Sequence, residues 1–432
     1  MTGGIVLETV EERGDRGGAE RLPGIAPRRD GLLVERVAVP ALREEWDALL
    51  PRARTNNVFV TWDFLATWWE HFRRSREGLT LLVREPDGRP VAILPFYVEA
   101  LRTRFGEARV LRNTGYGDVV NPDFLDVLVE EGREDEVADL VAPLLFDDPA
   151  WDYVEFSELD PSGSLARMAR RWARTRGLEF RLEPRATCPF VPLPASFEEY
   201  LAGRNAHFRH QLRRYRRKIQ RELGVSWKRV GVDLDVGTGI AHLTALHQER
   251  MEATERGGNF RKDDYRHFHR VLADRLQRSG RLYFWVLFVE GSPIATHYGF
   301  LHDGVYFGYQ MGFTHRFARY SPGHYMTGVV LEKLIEEEHA REMNLLRGTD
   351  AWKYRWTDHE RRTVTVRLLP DSWRARWAYL GAALSQPPIL VMRFLLGREN
   401  FEEIRRCWKT ALERVRPVEA RSPKPRGKGG KG

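Results

Sequence analysis

The sequence predicts an α+β protein, α/β-layered and built as two tandem domains. Each is a mostly antiparallel sheet flanked by helices, and a helical extension follows at the C-terminal end. Three observations carry this expectation. The first is the stretch 282–340. Its aromatic and β-branched runs Leu282-Tyr-Phe-Trp-Val-Leu-Phe-Val289, Ile294-Ala-Thr-His-Tyr-Gly-Phe-Leu301 and Val305-Tyr-Phe-Gly-Tyr-Gln-Met-Gly-Phe313 are divided by Glu290-Gly-Ser-Pro293 and His302-Asp-Gly304. Such runs between turn formers are antiparallel strands in hairpins. After the loop Arg319-Tyr-Ser-Pro-Gly-His324, the apolar residues Met326, Val329, Val330, Leu334 and Ile335 recur at helical spacing. The second observation is an internal echo: Gly88-Arg-Pro-Val-Ala92 reads like Gly291-Ser-Pro-Ile-Ala295, 203 residues on. The same offset carries the helical pattern of 62–72 onto 265–275, as a duplicated domain would. The third is size, since 432 residues with 42% hydrophobic and 30% charged suffice for two globular cores.

Taken in order, residues 1–29 are rich in Gly, Arg, Glu and Pro without periodicity and are expected to be disordered. The first domain, 30–187, opens with a strand at 32–39 and a short helix at 41–50, with Leu42, Trp46, Leu49 and Leu50 on one side. An aromatic amphipathic helix at 59–72 is capped at Thr61. Its Trp62, Trp68 and Trp69 read either as a stacking platform or, more in keeping with their helical spacing, as core. A hairpin at 79–84 and 91–98 follows. Strands at 110–120 and 124–130 then flank the polar loop Asn113-Thr-Gly-Tyr-Gly-Asp118. A helix at 134–146, a buried strand at 151–156 and a helix at 164–176 closed by Gly177 complete the unit. Thr187-Cys-Pro-Phe-Val-Pro-Leu-Pro194 is a Pro-punctuated crossover, and the boundary is placed there.

The second domain, 188–369, begins with a helix at 197–223 carrying one apolar stripe: Phe208, Leu212, Tyr215, Ile219 and Leu223. Arg204, Arg209, Arg213, Arg214, Arg216, Arg217, Lys218 and Arg221 cover the remainder of 204–221. The plain reading is a solvated face paired with acidic neighbours; the functional one is a surface for a nucleic acid such as tRNA, for anionic lipid or for an acidic sugar precursor. Helices at 243–256 and 265–278 enclose a loop, 257–262, with the makings of a lid. In the extension 370–416, the apolar and aromatic stretch 373–396 is interrupted at Gln386-Pro-Pro388. It reads as a helical hairpin packed on the domain, or as a membrane-surface contact. A terminal amphipathic helix at 401–415 precedes a basic tail, 417–432, expected to be disordered.

Composition narrows the function. No continuous 18-residue apolar run and no N-terminal apolar core are present, so neither a membrane span nor a signal peptide is expected. Cys188 and Cys407 have no His or Cys partners at ligand spacing, so no metal site or disulfide framework is expected and a cytoplasmic location is. The net charge of +8 suits anionic partners: a nucleotide-bearing cofactor, a nucleic acid or an acidic lipid surface. The strand that feeds the Pro-Gly loop and helix supplies unpaired backbone N–H groups, an arrangement suited to phosphate.

With its continuation Leu345-Leu-Arg-Gly-Thr-Asp-Ala-Trp-Lys-Tyr-Arg-Trp356, this segment resembles the core of the GNAT acyltransferase superfamily. Over residues 31–369 the chain resembles the double-domain GNAT proteins of cellulose and exopolysaccharide biosynthesis, relatives of the Fem-type peptidyl transferases. The resemblance implies a GNAT-type N-acetyltransferase. It would use acetyl-CoA, or another acyl-CoA, to acylate an amine or hydroxyl of a sugar, peptide or polysaccharide precursor. It implies cofactor contacts from Gln310, Met311, Gly312 and Phe313 at the end of the third strand, and from Arg319, Gly323, His324 and Tyr325 in the turn. The superfamily loop usually reads Gln/Arg-x-x-Gly-x-Gly/Ala; here Tyr320-x-x-Gly323-x-Tyr325 keeps the central Gly and changes both flanks. An amine must be neutral to attack a thioester, so a proton acceptor is needed. His297 and Tyr309 on adjacent strands, and Asp350 and Lys353 after the next strand, are the candidates. Their plain readings are a satisfied strand histidine and an ion pair, and Lys353 is also a candidate to hold an acidic group of the acceptor. From the first domain, Tyr116 and Asp118 are the candidates to contact the acceptor. The alternatives are Fem-like aminoacyl transfer from charged tRNA, which the Arg-rich helix suits, and a non-catalytic scaffold of exopolysaccharide biosynthesis.

Overall fold

The computed structural model describes residues 31–117, 120–252 and 258–385. Asp118, the terminal segments 1–30 and 386–432 and the start of the 257–262 loop lie outside the described residues, and with them the expected helix at 401–415.

The first half runs β1 (Leu33–Arg36), α1 (Arg43–Leu49), α2 (Trp62–Phe72), β2 (Glu77–Arg84), β3 (Pro90–Thr103) and β4 (Gly106–Asn113). It continues with β5 (Leu128–Val129), α3 (Glu134–Phe146), β6 (Tyr153–Leu159) and α4 (Ser164–Arg176). Local signals set these helices. Thr61 Oγ1 accepts the Phe64 N–H (3.3 Å) at the start of α2, and Gly177, at φ +64°, closes α4. Trp68 is fully buried and Trp69 nearly so, which makes them core. Trp62 lies between the guanidinium groups of Arg43 and Arg275, at 4.6 and 5.1 Å from its ring.

The strand expected at 124–130 reduces to β5, with isolated bridges from Leu125 to Leu159 and from Ala53 to Glu130. The expected 110–120 strand stops at Asn113 because that side chain leaves the ladder. Its Nδ2 donates to the Ser157 carbonyl (3.1 Å) and its Oδ1 accepts the Ser157 N–H (2.9 Å). Beyond it, Gly115 and Gly117 at φ +97° and +100° and Phe124 at φ +59° turn the chain away from extended geometry.

The segment read as a crossover is the long central strand β7 (Glu179–Pro192). The second half follows as α5 (Phe197–Ala202), α6 (Ala206–Glu222), β8 (Val225–Arg229), α7 (Val236–Glu252), α8 (Asp263–Arg278), β9 (Leu282–Val289) and β10 (Ser292–His302). After these come β11 (Val305–Phe313), α9 (Pro322–Glu336), β12 (Glu342–Asn344), β13 (Glu360–Leu369) and α10 (Trp373–Leu384). The helix expected over 197–223 breaks at Gly203, and α6 restarts with Asn205 Oδ1 accepting the Phe208 N–H (2.8 Å).

All the strands form one sheet, ordered β1-β2-β3-β4-β6-β13-β7-β12-β11-β10-β9-β8, with β5 on β3. Two strands weld its halves. β7 pairs along its length with β13 and at its end with β12, while β13, late in the chain, pairs with β6 of the first half. The helices related by the 203-residue offset, α2 and α8, meet across the seam. Phe64 packs edge-on to Phe268 (6.0 Å), and Arg275 donates to Glu70 (2.7 Å) and to Thr67 Oγ1 (3.0 Å).

Candidate active site

The site lies where the sheet opens. β11 and β12 run parallel and paired only over Val305–Phe307 and Glu342–Asn344; beyond Phe307 they part. Two features drive the parting. On one side the register of β11 against β10 slips, so that Gly308 faces Gly299 and Gln310 faces Tyr298, leaving Tyr309 as the extra residue of a β-bulge. On the other, Leu346 adopts φ +56°, and its N–H is taken by Asn344 Oδ1 (3.0 Å), so the chain turns off the ladder. The wedge between the limbs holds a cavity of about 200 Å³ lined from both sides, by Gly308 to Met311 and by Leu345 to Arg347.

All four residues expected to move protons line this cavity: His297, Tyr309, Asp350 and Lys353. His297 is buried, and burial pushes its imidazole down to about 4, so the ring is neutral near pH 7. Its Nδ1 lies 2.6 Å from Tyr306 Oη. Burial raises the Tyr306 phenol and keeps it protonated, a state in which its hydroxyl can donate to Nδ1 or accept from it. A neutral imidazole accepting at Nδ1 carries its proton on Nε2. In that tautomer His297 offers a hydrogen-bond donor. Tyr309 is held at about 12 by burial, against the pull of its hydrogen bonds to Tyr265 and to the Asn121 backbone. It is a neutral phenol fixed between the halves.

Lys353 is 5% exposed, and burial lowers its amine to about 8, with the charges of Asp123 and Asp350 opposing that fall. Its Nζ donates to the carbonyls of Leu346 (2.8 Å) and Arg347 (2.6 Å), clamping the bend that opens the sheet. Asp350 is exposed at the cavity mouth, its carbonyl accepting the Lys353 N–H (2.9 Å).

The expected cofactor turn starts α9. Ser321 sits in left-handed geometry at φ +51°, ψ +55°, followed by Pro322 at the first helical position. Gly323 and His324 carry amides with no place in the i→i−4 ladder. The Tyr325 N–H, expected to join them, is taken by the Ser321 carbonyl (3.0 Å), because the helix is already one turn old at that residue. Gly323 is tightly placed: a Cβ there would stand 3.1 Å from the Phe313 ring and 3.5 Å from Met311 Sδ. Met311 also lines the cavity, so turn and cavity share a wall. Arg319 is exposed, its guanidinium donating to Tyr320 Oη (2.7 Å). His324 stacks between Tyr215 and Trp356, each at 6.2 Å. Gly312 serves close packing, since a Cβ would reach 2.7 Å from the His247 backbone nitrogen.

From the first half, Asn121 and Asp123 reach the cavity and Tyr116 does not; its ring lies under Arg112 (5.2 Å) within the first half. The residue with the densest charge there, Arg347, was not singled out in the sequence. It donates to Asp123 Oδ1 (2.7 Å), pairs with Glu158 Oε2 (2.9 Å), and its N–H reaches Asp123 Oδ2 (3.0 Å). Asp123 is fully buried, and burial raises its carboxyl against the pull of Arg347. Only the Arg347 in the quoted 345–356 run signalled this cluster, and its two carboxylates lie over 180 residues away in sequence. The described part, 258–262, of the loop read as a lid is pinned by the fully buried Phe260, packed edge-on to Tyr265 at 4.9 Å.

Comparison with known proteins locates the same segment. Residues 206–354 match the model of the acetyltransferase (GNAT) domain. Among solved structures, FemX superposes with a TM-score of 0.53 at 10% identity, covering 75% of this chain and 95% of that one. L-PGS from Bacillus licheniformis gives a TM-score of 0.46 at 13% identity, covering 80% and 97%. A tandem GNAT protein from the clavulanic acid biosynthesis pathway gives 0.39 at 12% identity, covering 79% and 99%. No curated protein matches the sequence. At this identity the FemX likeness shows a shared fold. The matched segment contains both limbs of the open sheet and the helix behind them, and over residues 206–354 the chain carries a GNAT acetyltransferase domain and is an acyltransferase of that fold.

Proposed function

We propose that the chain transfers an acyl group from an acyl-CoA, most simply acetyl-CoA, to an amine or hydroxyl of a sugar, peptide or polysaccharide precursor. The observation that carries this is the parting of β11 from β12 over a cavity, with Gly323 at the start of α9 packed close to Met311, one of the residues that line it. In this reading the residues present fit the donor. The Gly323 and His324 amides meet its diphosphate, and the thioester arm lies between the parted strands. The His297 Nε2–H faces the carbonyl oxygen that gains charge as the acceptor attacks. Lys353, which keeps a lone pair above about pH 8, takes the acceptor's proton, and Asp350 at the mouth orients an approaching amine. The acceptor enters along the seam, past Asn121 and Asp123.

One observation favours a second reading. Among the described residues, Arg213, Arg214, Arg217 and Arg221 of α6 are exposed and have no acidic partner, whereas Arg216 pairs with Glu332 and Arg204 with Asp358. The plain reading of this helix therefore holds for only part of it, and the free row suits a polyanion such as charged tRNA. Calorimetric titration tests both. Acetyl-CoA is expected to bind the wild type and to lose at least about tenfold in affinity with Gly323→Glu, which places a carboxylate on the diphosphate site. Absence of heat with acetyl-CoA, together with salt-dependent binding of aminoacyl-tRNA, transfers the assignment to the second reading.

A further inference from the structure

α10 closes the described chain against β3, β4 and β6, and its two faces differ in kind. The inner face is anchored: Ser372 Oγ caps the Ala375 N–H (3.2 Å), Tyr379 packs edge-on to Tyr153 (5.4 Å), and Arg374 Nε donates to Asp152 (2.7 Å). The outer face carries Trp373 and Trp377, one helical turn apart, 76% and 51% exposed. Phe105, at the tip of the β3–β4 turn and 48% exposed, packs edge-on to Trp377 at 5.2 Å. These three aromatics are the exposed aromatic side chains of the described core, gathered at one end of the molecule. Arg102 and Arg104 flank Phe105, both exposed and without an acidic partner among the described residues.

We propose that this end of the protein rests on an anionic lipid surface. Indole is the side chain best suited to the boundary between headgroups and acyl chains. Cations beside it gain from the negative potential of an acidic leaflet. Either feature alone gives weak attachment, and the two together give a stable one. A protein partner is the weaker fit, because the apolar area is confined to three side chains on a rim of arginine. The sequence just beyond α10 has the same character: Pro387-Pro-Ile-Leu-Val-Met-Arg-Phe-Leu-Leu396 joins aliphatic and aromatic residues to Arg393, and Arg421, Lys424, Arg426, Lys428 and Lys431 follow without an acidic residue among them. No helix of the described residues is long and apolar enough to cross a membrane; the contact proposed is a peripheral one. This inference is independent of the acyl-transfer chemistry.

Vesicle flotation of the full chain tests it. The wild type is expected to float with phosphatidylcholine vesicles containing phosphatidylglycerol, to stay behind with phosphatidylcholine alone, and to be released by salt. Trp373→Ser with Trp377→Ser is expected to lower binding about tenfold, while Trp373→Phe with Trp377→Phe retains most of it. Arg102→Glu with Arg104→Glu removes the preference for anionic vesicles without touching the helix, and so gives an independent reading if the serine variant folds poorly. A wild type that ignores anionic vesicles overturns the proposal. So does a folded serine variant that floats equally well, or a Trp-dependent dimer that binds no vesicle.

Discussion

His297 and Lys353 line the same cavity, and burial lowers both, to about 4 and about 8; the outcomes are opposite in use. The imidazole loses any charge it would carry near pH 7 and keeps one nitrogen as donor and one as acceptor, with Nδ1 held against Tyr306 Oη. The amine stays mostly protonated at pH 7 but is brought within reach of deprotonation. In the proposed mechanism the rate follows the fraction of neutral Lys353. It is expected to rise nearly tenfold per pH unit below the break and to level off near pH 8. Lys353→Met is expected to flatten that limb and to lower kcat by about a hundredfold, with the affinity for acetyl-CoA little changed. Stability runs the same way. A lysine whose folded value lies below its unfolded one penalises the folded state at low pH, and the penalty is relieved as pH rises from about 8 towards the usual lysine value. A pH–rate profile and a denaturation series on both proteins separate the two effects. A variant that keeps the pH dependence removes Lys353 from the proton path.

Elements differed in how far they could be read from the sequence, and the difference follows the range of the forces that set them. α3 and α4 emerge at the boundaries expected, and the hairpin β9–β10 with β11 follows its turns, because the closing Gly177 of α4, the turn residues and the apolar period are all local. β7 looked like a crossover, since its prolines signal a broken ladder. It is a strand because β13, far along the chain, supplies its partner. β8 carried too short a pattern to notice and exists by pairing with β9. The cavity was legible in part for the same reason: His297, Tyr309, Asp350 and Lys353 lie close in sequence, while Asp123 and Tyr265 arrive from elsewhere. Asp126 shows a distant residue completing a local element. α4 starts at Gly163 with no side-chain cap of its own. Instead the buried Asp126 accepts the N–H groups of Ser164 (2.8 Å) and Leu165 (2.7 Å), and also the Thr55 hydroxyl. Asp126→Ala is expected to cost about 3 kcal/mol in urea denaturation, since several donors lose a charged acceptor. Asp126→Asn, which keeps one oxygen, is expected to cost about half of that. Equal losses would mean that packing, and not the cap, is what Asp126 provides.

Across the whole molecule, two copies of one helix-and-hairpin pattern have become a single sheet, and that changes how the chain should unfold. Independent domains joined by a linker melt separately; here β13 stands between β6 and β7, so neither half can leave without breaking the other's ladder. Arg347 adds a charged tie, set between the buried Asp123 and Glu158 of the first half. Removing it leaves two carboxylates facing each other in a site built around a guanidinium, and such losses run to about 3 kcal/mol or more. Arg347→Met is therefore expected to lower the stability of the whole protein in one transition, with near-ultraviolet and far-ultraviolet signals moving together. The sign of its pH dependence follows from the same charges. Without Arg347 the buried Asp123 carboxyl takes up its proton more readily in the folded state, so the gap between variant and wild type should narrow as pH falls and widen towards neutrality. Two separate transitions, or a gap that does not change with pH, would show that the halves stand apart energetically and that the continuous sheet does not couple them.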